Sequence, residues 1–387
     1  MRTSSRTRQA QPSVVSVVRG RGPLGLPGLL TSTDVVIGDP AVSYVDPEFL
    51  PEERLMVWQD AAGEVWLCEV DPDTGNMVPA DGKGESAGRA APLLTKRNPF
   101  FKVTYNGPEF GVSQQGIVVY YCDSEQLEIT RFDLASRRID IPVPGVTRNT
   151  LALISSKVPG APGTLVMYGR IGATPAGGNQ ILNEWFDDSE PEVVHPVPRI
   201  KSGTSGPQWF PGQRAIIAQL PDENGVEQVC RYDIDAEQFT LLTDTPGDKI
   251  DSFAFQAPEY PGEILFLTLN QRQWLEVYRQ RGTRWTRILR IPAPASSAKT
   301  SSGLKSAEPV AYRGKTYITY LADSGDKMTR IALASLDGKI NAWVSRAGQL
   351  DQYDPEGIVL GDKLFVYYYD GVNQQDIHAL HRCRVQF

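Results

Sequence analysis

The stretch that decides the fold is Gly206–Thr243, GPQWFPGQRAIIAQLPDENGVEQVCRYDIDAEQFTLLT. Four short segments rich in β-branched and aromatic residues alternate here with the turn residues Pro211-Gly212, Asn224-Gly225 and Asp235-Ala236. Short apolar segments bounded by turn residues are typical of antiparallel strands joined by tight hairpins. The stretch therefore predicts a four-stranded antiparallel meander.

A proline opens this unit and recurs along the chain, followed within about ten residues by an apolar strand. The prolines are Pro47, Pro108, Pro159, Pro207, Pro258, Pro309 and Pro355, spaced by 61, 51, 48, 51, 51 and 46 residues. A second strand tends to end in aspartate, as at Asp71, Asp133 and Asp233. Repeats of roughly 40 to 50 residues with four strands each are typical of propeller blades. The sequence predicts an all-β, seven-bladed propeller. The alternatives are six or eight blades, if the long first spacing conceals another set of strands.

Two stretches carry resemblances to known propellers. Pro207–Thr243 resembles the WD40-like repeats of TolB-type propellers, although Phe210-Pro211-Gly212 lacks the serine and aspartate of that motif. Glu308–Trp343 resembles blades of glycoside hydrolase and sialidase propellers, and Ser335–Trp343 approximates their Asp-box turn. Because such boxes are structural turns, the resemblance implies the fold rather than the chemistry.

The N-terminal residues 1–33 differ from the rest of the chain in charge. They contain five arginines and no acidic residue. Because the whole chain has a net charge of −7, residues 34–387 carry a net charge of about −12. We expect a flexible basic tail followed by a single propeller domain over residues 34–387. Since the last unit lacks a fourth strand after residue 387, an N-terminal strand is expected to close the ring. Asp34–Ile37 is the favoured closing segment, and Val14–Val18 is the alternative.

Cysteines and histidines provide no recognisable catalytic or metal-binding motif. The four cysteines form no C-x-x-C pair and predict buried, reduced thiols, which favours a cytoplasmic protein over a periplasmic or secreted one. His195, His378 and His381 are predicted to be structural or surface residues, and no metal site is expected. The chain has no P-loop, dinucleotide fingerprint or nucleophile elbow, so no cofactor is predicted. No apolar run is long enough for a membrane span, and the acidic body argues against nucleic-acid binding.

Acidic residues accompany the repeat prolines, as in Asp46-Pro47-Glu48 and Asp354-Pro355-Glu356. If the following segment forms the innermost strand of each blade, these side chains approach the central channel at one rim. The predicted ligand-binding residues are Glu48, Glu109, Gln208, Glu259, Glu308 and Glu356, with Glu109, Glu259 and Glu308 as the candidate catalytic residues. Like charges confined at one site push their pKa values apart, which suits ligand binding or acid–base chemistry. The competing interpretation is structural, with each acid bridging neighbouring blades.

These patterns favour a ligand-binding or protein-interaction propeller that uses the channel rim. The expected partner is a small polar ligand, a carbohydrate or another protein. The alternative is a glycan-active hydrolase or lyase with two carboxylates at the rim, since glycosidases act through such a pair.

Overall fold

The structure is a computed structural model in which every regular element is a β-strand. It describes residues 14–19, 29–38, 44–60, 65–78, 107–113, 116–123, 128–143, 150–156, 164–173, 179–190, 193–198, 207–294, 303–324, 328–373 and 376–387. Within these ranges no helix is long and apolar enough to cross a membrane.

The strands form seven antiparallel sheets that follow one another around a ring, so the predicted seven-bladed propeller is confirmed. Blade 1 comprises β3 (Val45–Leu50), β4 (Leu55–Gln59), β5 (Val65–Val70) and β6 (Met77–Val78). Blade 2 comprises β7 (Glu109–Ser113), β8 (Gly116–Asp123), β9 (Glu128–Asp133) and β10 (Ile139–Val143). Blade 3 comprises β11 (Thr150–Ser156), β12 (Leu165–Ala173), β13 (Asn179–Asp187) and β14 (Val194–Val197).

The remaining blades repeat this order. Blade 4 comprises β15 (Gln208–Trp209), β16 (Ala215–Pro221), β17 (Glu227–Asp233) and β18 (Gln238–Leu241). Blade 5 comprises β19 (Lys249–Gln256), β20 (Ile264–Asn270), β21 (Trp274–Arg281) and β22 (Arg284–Pro292). Blade 6 comprises β23 (Lys305–Tyr312), β24 (Lys315–Asp323), β25 (Thr329–Ser335) and β26 (Asn341–Trp343). Blade 7 comprises β27 (Asp351–Leu360), β28 (Lys363–Asn373) and β29 (Asp376–Gln386), together with two N-terminal strands.

Those N-terminal strands close the ring. Strand β2 (Leu29–Ile37) pairs with β29, and β1 (Val14–Arg19) pairs with the outer side of β2. The favoured closing segment Asp34–Ile37 is therefore confirmed, and the alternative segment supplies a fifth strand. Both strands reach into the range predicted as a basic tail, of which residues 1–13 and 20–28 lie outside the described residues. The division of the chain at residue 34 stays a prediction.

The core lies between the blades. Strand β16 is apolar on both faces, and Ile216 packs toward blade 3 while Ile217 packs toward blade 5. Strand β28 does the same, with Phe365 facing blade 1 and Val366 facing blade 6. Each middle strand buries both faces against its neighbours, so continuous apolar runs replace the usual alternation.

The aspartates that end the third strands hold the following turns. Asp133 Oδ1 accepts hydrogen bonds from the backbone N–H and hydroxyl of Ser136, and Asp233 Oδ1 accepts from the N–H of Ala236. Asp71 Oδ1 accepts in the same way from Thr74 N–H at 2.7 Å. These hydrogen bonds lower the pKa of each aspartate. The repeated aspartate is thus a turn residue rather than a ligand-binding one.

A buried polar network joins the closing strand to blade 7. Asp34 on β2 lies 3.2 Å from His381 Nδ1 and accepts a hydrogen bond from Tyr368 Oη at 2.7 Å. His381 Nε2 lies 3.0 Å from Asp370, and Asp34 also accepts from the backbone N–H of Arg346 at 2.9 Å. We call Asp34, Tyr368, Asp370 and His381 the closing clasp, because it fixes β2 to β28 and β29. It gives His381 the predicted structural role.

The described cysteine side chains Cys68, Cys230 and Cys383 are buried free thiols, and burial raises the pKa of each. His195 stacks on Trp185 with 4.3 Å between ring centroids, whereas the side chain of His378 lies outside the described residues.

Candidate functional site: a carboxylate arc at the channel

The first strand of each blade lines the centre of the molecule, because each contacts the first strand of the next blade around the ring. Four of these strands, in the consecutive blades 6, 7, 1 and 2, carry a glutamate at the same place in the sheet. They are Glu308, Glu356, Glu48 and Glu109, which lie opposite Thr319, Tyr367, Val57 and Tyr120 on the second strands.

The residues opposite these glutamates all belong to the face that points toward the following blade. Tyr367 packs against blade 1, Val57 against blade 2 and Tyr120 against blade 3, while Thr319 Oγ1 donates to the carbonyl of Pro355 in blade 7. Directly paired residues of an antiparallel sheet point to the same side. The four glutamates are therefore equivalent in orientation and converge on one sector of the channel.

A β-bulge precedes the glutamate in blades 1 and 7. The register shifts between Val45 and Glu48 and between Tyr353 and Glu356, and Asp46 and Asp354 within the bulges have φ of 50° and 51°. A bulge inserts an extra residue and redirects its side chain. It turns both aspartates toward each other, so that the Asp354 carboxyl group donates a hydrogen bond to Asp46.

Asp46 is further held by the start of blade 2. Its Oδ2 accepts a hydrogen bond from the backbone N–H of Gly107 at 2.5 Å. A Cβ atom at Gly107 would lie 2.4 Å from the Asp46 carbonyl oxygen, so only glycine permits this approach. The backbone of blade 2 therefore fixes the position of a blade 1 carboxylate.

We call Asp46, Glu48, Glu109, Glu308, Asp354 and Glu356 the carboxylate arc. Its side chains are half-buried and enclosed by protein, which raises the pKa of Glu48 well above its usual range, and the charges of Glu109, Glu356, Asp46 and Glu308 add to that rise. Burial likewise raises the pKa of Glu356 and Asp354, with further rises from Glu308 and Asp46. Burial and the repulsion between neighbouring carboxylates therefore favour the protonated form of these groups.

Two of the arc's carboxyl groups act as hydrogen-bond acceptors within pairs. Glu356 donates to Glu308, and burial raises the pKa of Glu308 to about 7 although this hydrogen bond lowers it. Burial also raises the pKa of Asp46, against the lowering effect of the hydrogen bonds from Asp354 and Gly107. The arc's carboxyl groups thus share hydrogen bonds in pairs, and a positively charged group that enters would favour their ionised forms.

The other two predicted ligand-binding residues, Gln208 and Glu259, lie outside the carboxylate arc. Gln208 occupies the equivalent position in blade 4, opposite Ile217, and is separated from the arc by blade 3. Glu259 lies beyond the end of β19, and its carboxylate accepts hydrogen bonds from the backbone N–H and hydroxyl of Thr316 at 2.6 and 2.7 Å. It therefore bridges blades 5 and 6 instead of joining the arc.

The arc position in blade 5 is occupied by Phe253, opposite Leu267, as the bulge between Ile250 and Phe253 shows. The proline pattern pointed to Glu259 because Pro258 follows β19 in this blade, whereas Pro47 and Pro355 lie inside their strands. Asp46 and Asp354 were not among the predicted ligand-binding residues. Their sequence signal was their position directly before Pro47 and Pro355, the prolines that Glu48 and Glu356 follow.

Within the residues that the structure describes, no three histidine, cysteine or acidic side chains are arranged to hold a metal ion. The arc can instead bind a cationic group, exchange protons with it, or supply a proton donor and acceptor.

Comparison with known proteins finds similarity in structure only. No family model matches the chain, and no curated protein matches its sequence. An oligogalacturonate lyase solved in complex with manganese superimposes with a TM-score of 0.56 at 10% identity, over 97% of both chains. The TolB protein of Acinetobacter baumannii gives a TM-score of 0.39 at 10% identity, over 85% of this chain and 78% of TolB. A Trypanosoma rangeli sialidase gives 0.40 at 11% identity, over 97% and 60%.

These similarities concern the fold. The propeller predicted by resemblance to TolB-type and sialidase repeats is confirmed by the ring of seven sheets, and TolB, oligogalacturonate lyase and sialidase structures are among its structural neighbours. Identity near 10% assigns no ligand or reaction to this chain.

Proposed function

We propose that this protein is a ligand-binding propeller whose carboxylate arc receives a small polar ligand through a positively charged group. The observation that carries the proposal is the convergence of four equivalent glutamates from consecutive blades on one sector of the channel. An amine placed among them would gain charge-assisted hydrogen bonds in a partly desolvated site.

The fold itself does not require acids at these positions. The equivalent position holds phenylalanine in blade 5, at Phe253, and an amide in blade 4, at Gln208. Crowded carboxyl groups with raised pKa values oppose folding at neutral pH, because the folded chain must keep protons that the unfolded chain releases. A structural role would favour residues without that penalty, so the arc fits a binding role better.

The ligand class is tested by a thermal-shift screen of matched amine and hydroxyl compounds. We expect putrescine and glucosamine to raise the melting temperature in proportion to the logarithm of concentration. Their neutral counterparts, 1,4-butanediol and glucose, should shift it far less. The double variant Glu308→Gln, Glu356→Gln should abolish the amine-dependent shift.

Glu259→Gln is the matched control, because it removes a carboxylate outside the arc, and it should keep the shift relative to its own baseline. Calorimetry in buffers of different ionisation enthalpy should detect proton release when the amine binds, since a cation favours the ionised carboxylates. Equal stabilisation by the neutral compounds, or an unchanged shift in the double variant, would exclude the arc as a cation site.

A glycan-active enzyme is the second candidate. The raised pKa of Glu308, about 7, suits a general acid or base at neutral pH. Glycosidases, however, separate their two carboxyl groups by roughly 5 to 9.5 Å, whereas Glu308 and Glu356 are hydrogen-bonded to each other. Turnover of an oligosaccharide that is lost in Glu308→Gln, with folding intact, would favour this second function.

We also propose a cytoplasmic location, with the periplasm or secretion as the alternatives. The buried free thiols Cys68, Cys230 and Cys383 support it, because thiols persist in a reducing compartment.

A further inference from the structure

The outer strand of blade 5 differs from those of the other four-stranded blades. Strand β22 is nine residues long, whereas β6, β10, β14, β18 and β26 have two to five residues. Among the described strands, none pairs with the outer side of β22. A long outer strand presents a row of backbone donors and acceptors on which another strand can form.

This edge is also basic, on a chain of net charge −7. Arg284, Arg287 and Arg290 are exposed along β22, and Arg281 is exposed beside it at the end of β21. The other outer strands named above contain no arginine or lysine. Among the outer strands of the described four-stranded blades, the basic character is therefore specific to β22.

Two of these arginines, Arg287 and Arg290, are fixed by side chains of the neighbouring strand β21. The buried Glu276 accepts from Arg287 Nη1 at 2.8 Å, and Arg290 Nε lies 3.3 Å from the same oxygen. The Arg290 guanidinium also lies 4.3 Å from the ring centroid of Trp274. Fixed guanidinium groups lose less conformational entropy when they bind a carboxylate.

The other two arginines lie at the end of the hairpin. Arg281 and Arg284 face each other across the turn at Gly282, and neither forms an ion pair with another described residue. They leave positive charge available to a partner.

The propeller already accepts a fifth strand elsewhere. In blade 7, β1 pairs along the outer side of β2 over six residues, Val14–Arg19 against Leu29–Asp34. The same geometry is available at β22. Pairing β22 with a second copy of itself would oppose arginine to arginine, which is unfavourable across a sheet.

We propose that β22 binds an extended acidic segment of a partner protein, which adds to blade 5 as a fifth strand. Backbone hydrogen bonds would provide the affinity, and the four arginines would select acidic side chains. The competing explanation is that the arginines only protect an exposed edge from pairing.

The test uses the full chain and a fluorescein-labelled nine-residue peptide in which glutamate alternates with valine and threonine. Fluorescence anisotropy should show saturable binding, and the same peptide with lysine in place of glutamate should not bind. The double variant Arg281→Glu, Arg284→Glu should weaken binding at least about tenfold. The control Arg137→Glu, Arg138→Glu makes the same substitutions at exposed residues of blade 2, away from β22, and should leave binding unchanged.

Backbone pairing is tested with two further peptides, N-methylated at alternate residues in opposite phase. An edge strand forms hydrogen bonds to every second residue of an added strand, so one peptide should lose binding and the other should keep it. Absence of binding, equal behaviour of the two N-methylated peptides, or equally tight binding of a single-stranded oligonucleotide would overturn the proposal. Thermal melts of each variant establish that loss of binding does not reflect unfolding.

Discussion

Replacing Asp34 with alanine is expected to destabilise the propeller by about 3–5 kcal/mol, the usual cost of removing one partner from a buried charged pair. The substitution leaves His381 Nδ1, the Tyr368 hydroxyl and the Arg346 backbone N–H without their acceptor in a buried site. It also removes a side chain whose hydrogen bonds join β2 to both β28 and β29. Urea unfolding at neutral pH measures the loss.

The control is Asp133→Ala, which removes an exposed turn aspartate that accepts only from Ser136 and its neighbours. Its expected cost is about 1 kcal/mol, typical of a solvent-accessible hydrogen bond. If Asp34→Ala and Asp133→Ala cost the same, the closing clasp does not hold the ring together.

The clasp also makes stability depend on pH. Burial alone would lower the pKa of His381, but its hydrogen bonds and charge interactions with Asp34 and Asp370 raise it overall. A raised histidine pKa contributes stability that is fully present below the unfolded value of about 6.5 and is lost as pH rises through the folded value. Burial would raise the pKa of Asp34, yet His381 and its other partners lower it, so the aspartate's contribution is lost only in acid. His381→Asn should remove the histidine's share of the pH dependence above about pH 6.5, while the share of the carboxylate arc remains.

Replacing Glu308 and Glu356 together with glutamine is expected to stabilise the protein by about 2–3 kcal/mol at pH 8, because each unit of pKa shift corresponds to about 1.4 kcal/mol and the partial exposure of both side chains reduces the full value. The pKa of Glu308 is raised from 4.5 to about 7, chiefly by burial. Glutamine keeps the size and a hydrogen-bond donor while removing the ionisation. The measurement is urea unfolding of variant and wild type across pH 5 to 8.

The sign follows from the raised carboxyl pKa values. The folded state keeps protons that the unfolded chain releases, so the penalty on folding begins near the unfolded pKa and is complete above the folded one. Wild-type stability should therefore fall from about pH 4.5 to above pH 7, and the double variant should lack this part of the fall. Because the closing clasp is present in both proteins, the difference between them isolates the carboxylate arc.

Glu259→Gln again provides the comparison. Its carboxylate accepts two hydrogen bonds from Thr316, so its replacement should destabilise rather than stabilise. A double variant of the arc that is less stable than wild type at pH 8 would show that Glu308 and Glu356 have favourable partners. That result would contradict the prediction that the arc's carboxyl groups oppose folding. The ligand screen would still test binding independently.

Much of the fold could be predicted from local sequence. Turn dipeptides and strand composition indicated the meander of blade 4, and the aspartates at strand ends mark turns that the structure confirms. The closing strand followed from the three strands recognised in the last repeat, because a ring with an open edge is unstable.

The candidate site could be predicted only in part. Glu48, Glu109, Glu308 and Glu356 were identified because a proline lies beside each, but the prolines are not structurally equivalent. Glu308, followed by Pro309, aligns with Glu48, which instead follows Pro47. Pro159 lies outside the described residues.

The sequence by itself determined the four-stranded repeat and the number of blades, since these depend on interactions between residues close in the chain. Only the tertiary structure decided which acids meet. The bulges at Asp46 and Asp354 and the displacement of Glu259 past the end of β19 change which side chains reach the channel, and a shift of one residue reverses the face of a strand. Glu48 and Glu356 lie 308 residues apart in the chain and interact because ring closure brings blade 7 against blade 1.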